Sequence, residues 1–89
     1  MKDREQSRGN DEDDARFEAL LLRRALDLHP AQASIDELAR DLGEDPVEFA
    51  GRDAVERAVR DLARTGLIHR NGEFAFPTLA ALRFDELLG

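Results

Sequence analysis

The arginines are the residues whose spacing points to a specific chemistry. Arg57, Arg60 and Arg64 recur at intervals of three and four, which on a helix places them within about 60° of one another. A guanidinium presents its donors in a fixed fork that fits a phosphate or the major-groove edge of guanine. Three of them along one helix therefore suit double-stranded DNA. Arg60 and Arg64 repel each other by a few tenths of a kcal/mol in an isolated helix, and such a row kept facing water points to an anionic partner. Arg70, at the tip of an expected hairpin, extends the set towards a neighbouring phosphate or the minor groove, and Arg52 lies near the start of the helix. Residues 52–70 hold 5 Arg against 3 acids.

Other chemistries are poorly supplied. The chain has no cysteine, which removes a thiol nucleophile, a disulfide scaffold and a thiolate-ligated metal together. His29 and His69 read as unrelated polar histidines, not as a ligand pair. Ser7 and Ser34 have no base placed near them in any recognisable pattern. The glycines at 9, 43, 51, 66, 72 and 89 fall singly, so no phosphate-binding loop is formed. The expectation is a protein that is not an enzyme and uses no metal or cofactor.

The elements that must position the arginines can be read from caps and periodicity. The first ordered helix is expected from Asp14, as N-cap, to about His29, where Pro30 stops it. It carries a broad apolar stripe (Phe17, Leu20, Leu21, Ala25, Leu28) and a narrower one nearly opposite (Ala15, Ala19, Leu22, Leu26). Ser34-Ile35-Asp36-Glu37 is a capping box, opening a short helix that Gly43 ends. Asp45-Pro46-Val47-Glu48 repeats that chemistry and predicts a brief helical turn to about Gly51. Asp53-Ala54-Val55-Glu56 is a third box. It predicts a helix from about Asp53 to Thr65, closed by Gly66, with Ala54, Val55, Ala58, Val59, Leu62 and Ala63 on one half and charges on the other. Asp53–Arg57 and Glu56–Arg60 are spaced as stabilising i,i+4 pairs. Leu67-Ile68-His69, the turn signal Asn71-Gly72 and Glu73-Phe74-Ala75-Phe76 predict a β-hairpin, and Thr78 caps a last helix over Leu79–Leu88. The five phenylalanines, Phe17, Phe49, Phe74, Phe76 and Phe84, are expected to pack in the core or on the hairpin.

This order of elements resembles the winged helix-turn-helix superfamily. Ser34 to Gly43 looks like the first helix of the motif, with Ala39 allowing close packing. Ala54 to Leu67 looks like the recognition helix and His69 to Phe76 like the wing. The usual turn between the two helices has three or four residues, whereas residues 43–52 supply an inserted helical turn. The resemblance implies a mostly α fold with a small β-hairpin: a three-helix core, a two-stranded wing and an extra C-terminal helix. It also implies a transcriptional regulator that reads the major groove through helix 53–65 and meets the backbone or minor groove through the 69–76 wing.

Charge sets the limits of that expectation. The 89 residues hold 13 Lys+Arg against 20 Asp+Glu, a net −7, which argues against non-specific binding to DNA by bulk charge, so local placement must carry it. Residues 1–13 contain one apolar residue, Met1, and read as a disordered acidic tail preceding a domain over 14–89. Residues 36–48 carry Asp36, Glu37, Asp41, Glu44, Asp45 and Glu48 against Arg40 alone. That acidic stretch supports an alternative, a winged-helix adaptor that binds a protein partner and no DNA. Met1–Arg8 has no apolar run, and no stretch reaches the roughly 20 apolar residues of a membrane span, which together predict a cytoplasmic protein. The last helix has apolar residues on both sides, Ala80, Ala81, Phe84, Leu87 and Leu88 against Leu79 and Leu82. With the second stripe of the first helix, this predicts a homodimer through helices 14–29 and 79–88, because so small a core cannot cover both.

Overall fold

The computed structural model describes the backbone of residues 2–89 and the side chains of residues 12–89. In chain order it forms α1 (Lys2–Leu28), β1 (Ala33–Ser34), α2 (Ile35–Asp41), α3 (Phe49–Arg64), β2 (Ile68–Asn71), β3 (Phe74–Pro77) and α4 (Leu79–Leu88). The architecture is mostly helical with a small antiparallel sheet in the order β1-β3-β2. Ala33 faces Ala75 and Ser34 faces Phe74, so the sheet has three strands where two were expected. A two-residue strand has no periodicity to read; its partner lies far along the chain.

α1, α2 and α3 each bury one face. Leu21 and Ala25 of α1, Ile35, Leu38 and Ala39 of α2, and Val55, Ala58, Val59 and Leu62 of α3 meet in one core with Ile68 and Ala75 of the hairpin. Ser34 caps α2, its hydroxyl accepting the Glu37 N–H at 3.1 Å. Thr78 caps α4 in the same way, accepting the Ala81 N–H at 3.1 Å while donating to the Gly66 carbonyl at 2.8 Å. That second bond ties the start of α4 to the end of α3. The hairpin closes on the Asn71–Phe74 pair. Gly72, at φ +61°, takes the first turn position, where a side chain is disfavoured.

Several expectations are corrected. Asp14 is interior to α1 and is not its N-cap; Glu12, Ala15 and Arg16 around it are competent helix formers with nothing to interrupt them. The expected tail over residues 1–13 lies outside the residues whose side chains are described, apart from Glu12 and Asp13, which are exposed. Leu20, assigned to the core stripe, is 54% exposed. α3 begins at Phe49 and not at Asp53. The cause is Gly51, which is buried against the turn before it: a Cβ there would sit 2.7 Å from the Asp45 carbonyl oxygen. That close approach lets the helix continue backwards, with Arg52 N–H donating to Glu48 O at 3.0 Å. The Asp45 carboxylate accepts the Val47 N–H at 2.9 Å and holds a turn, not a separate helix. Phe49 and Phe84 are exposed, Phe74 is exposed on the hairpin, and the fully buried large side chains are all aliphatic. Among the described residues no helix is long and apolar enough to cross a membrane.

Candidate nucleic-acid interface

With Val55, Ala58, Val59 and Leu62 turned inward, helical geometry sends Arg57, Arg60 and Arg64 to the outside of α3. All three are exposed. Arg57 meets Asp53 one turn back at 3.4 Å, and Arg64 meets Asp61 at 2.9 Å. Exposed pairs of this kind contribute about 0–1 kcal/mol, so either arginine can exchange its carboxylate for a ligand phosphate at little cost.

Arg60 differs. Its spacing predicts a pair with Glu56, but Glu56 turns to the hairpin and takes two guanidinium nitrogens of Arg70, one of them at 3.2 Å. Arg60 is left with no ion-pair partner within 4.0 Å among the described residues. The Arg70 guanidinium donating to Glu56 holds that carboxyl below its ordinary range, against partial desolvation, with Arg70, Arg52 and Arg60 adding their charge.

Arg52 and Arg70 are not brought into the ridge. Arg52 donates to Asp36 of α2 and to Glu73 of the hairpin turn at 3.3 Å, and lies 3.9 Å from Glu56. Arg70 adds a bond from Nε to the Gly72 carbonyl at 3.0 Å. These groups clasp α2, α3 and the hairpin together, so both guanidiniums are occupied within the chain. Glu56, Asp36 and Glu73 are the residues sequence reasoning missed. Their partners are separated by 14 to 21 positions, and periodicity within one element carries no signal at that range.

The acidic stretch of residues 36–48 is less negative than its composition. Asp36 is neutralised by Arg52, and Asp41 accepts from Arg24 of α1 at 2.8 Å. Opposite the ridge, Asp13, Asp14 and Glu18 of α1 form the other wall of a groove of about 530 Å³ whose near wall includes Arg57, Arg60 and Arg64. None of these three carboxylates is within 4.0 Å of a ridge guanidinium. Burial first, and then the Asp61 and Asp14 carboxylates, push the Glu18 carboxyl above its ordinary range, with Arg64 opposing them. The groove is thus open, basic on α3 and acidic on α1.

No protein-family model, curated protein or solved structure matches this chain.

Proposed function

We propose that this chain is a winged-helix DNA-binding module acting in the cytoplasm as a transcriptional regulator. In this reading α1, α2 and α3 are the three-helix core, β2 and β3 the wing, and α4 an appended helix. The exposure of Arg57, Arg60 and Arg64 along one side of α3 carries the reading, Arg60 above all because its carboxylate has been drawn away. α3 spans 16 residues, about 24 Å at 1.5 Å per residue, long enough to lie in a major groove. The ties from Glu56 and Arg52 hold the hairpin at a fixed angle beside it. Neutralisation of Asp36 and Asp41 lowers the repulsion that α2 would exert on a phosphate backbone.

The test is fluorescence anisotropy with mixed-sequence duplex DNA at low salt. Salt-sensitive binding is expected, and since a sequence mixture offers no defined base to contact, Arg60→Ala should weaken it across all sequences and lower the salt slope by about 1, as the loss of one phosphate contact does. Absence of salt-sensitive binding by the wild-type chain rejects the reading. A second reading, an adaptor that binds a basic protein through its acidic 36–48 surface, is favoured by one observation: Glu37 and Glu48 of that stretch stay exposed. It predicts that a polycationic peptide binds where DNA does not.

A further inference from the structure

The arginine face of α3 begins with a phenylalanine. Phe49, the first residue of the helix, is 86% exposed, and Val47 in the turn before it is 91% exposed. An aromatic ring is one of the largest apolar surfaces a chain can bury, yet this one stands in water. Its place on the helix ties it to the ridge. Eleven residues separate Phe49 from Arg60, which is three turns and about 20° at roughly 100° per residue. Arg64 and Arg57 lie at about 60° and 80° from it on the same side. The ring therefore shares the outer face with all three guanidiniums, about 16 Å from Arg60 along the axis.

The start of α3 is also held in place. Gly51 is buried against the backbone of Asp45, the Asp45 carboxylate accepts the Val47 N–H at 2.9 Å, and Arg52 ties its side chain to Asp36 and Glu73. Around the ring the charge changes sign. Glu48 precedes it, exposed, and Asp53 follows one turn on, so a phosphate is repelled at this end of the face while the arginines attract one further along. A ligand that fits must offer anions to the arginines and something apolar and uncharged to Phe49. The major groove of a duplex does both: phosphates border it, and thymine presents its C5-methyl group there, a group that phenylalanine contacts. We infer that Phe49, with Val47 beside it, reads the thymine methyl while Arg57, Arg60 and Arg64 engage phosphates. The inference rests on the DNA-binding reading of α3 and goes beyond it by naming a base and the residue that selects it.

The test compares an alternating adenine–thymine duplex with the same duplex carrying uracil, which lacks the methyl, in place of thymine. Fluorescence anisotropy at low salt should show the wild-type chain binding the thymine duplex about 3- to 5-fold more tightly, the gain from one methyl removed from water. Phe49→Ala, at a position already in water, should keep its helical circular dichroism and its salt slope but bind both duplexes alike. Phe84→Ala, which removes an exposed ring on α4, should keep the preference. Equal, salt-sensitive binding of the two duplexes by the wild-type chain overturns the inference and leaves the DNA-binding reading standing. No binding to either duplex rejects both. A preference that survives Phe49→Ala, or that Phe84→Ala abolishes, also overturns the inference.

Discussion

Replacing Glu56 by glutamine probes the joint between α3 and the hairpin. The substitution keeps the shape and one acceptor oxygen but removes the charge that Arg70 and Arg52 share. The Glu56 and Arg70 side chains are 30% and 33% exposed, so the pair lies between two regimes. Fully exposed pairs are worth about 0–1 kcal/mol, while removing one partner of a buried pair costs about 3–5 kcal/mol. Two-point contact with Arg70 and a second arginine nearby place the loss at about 1–2 kcal/mol. In a domain of this size that lowers Tm by roughly 4–16 °C, readable by far-UV circular dichroism at pH 7. The pH dependence follows from the direction of the shift. In the folded chain Glu56 ionises below its ordinary 4.5, so as pH falls the unfolded chain takes up its proton first and folding loses the contribution. The Tm gap between wild type and variant should therefore be full above the ordinary value and close as pH drops through the lowered one. A gap that is absent at pH 7, or widens on acidification, refutes the reasoning. A double-mutant cycle with Arg70→Gln should return most of the loss as coupling.

Glu18 behaves with the opposite sign. Its carboxyl is pushed up by burial and by Asp61 and Asp14, so it favours folding below the ordinary value and that contribution is lost as pH rises through the raised one. Glu18→Gln should therefore stabilise the fold at pH 7 by a few tenths to about 1 kcal/mol, with less gain at pH 4; denaturant midpoints at both pH values check it. In the core, Leu38 is fully buried between α1 and α3, and Leu38→Ala should cost about 2–5 kcal/mol in urea unfolding, against 1 kcal/mol or less if the site is loosely packed.

The parts of the fold that could be read in the sequence are those whose cause is local. Ser34 and Thr78 cap helices through bonds three residues long. The hairpin follows from one glycine between alternating strands. The inner face of α3 follows from 3.6-residue periodicity at Val55, Ala58, Val59 and Leu62, although Ala63, expected on that half, is exposed. What could not be read depends on distant partners. β1 exists only because β3 offers it hydrogen bonds. The true start of α3 depends on Gly51 touching the backbone of Asp45, a contact no capping box encodes. The same division runs through the candidate site. Arg57, Arg60 and Arg64 share a face, as helix geometry required. Which arginine keeps a carboxylate was decided by the hairpin, since Glu56 serves Arg70 rather than Arg60. The acidic wall of α1 was hidden because an N-cap expected at Asp14 would start the helix there and leave Asp13 outside it, and because no local signal sets Asp14 and Glu18 across a groove from α3.

DNA binding by the outer face of α3 is tested residue by residue by amide chemical-shift mapping during titration with duplex DNA at low salt. The shifts should concentrate on residues 53–64 and the hairpin turn, and recede as salt is raised. Shifts confined to α2 or α4, or none at all, contradict it.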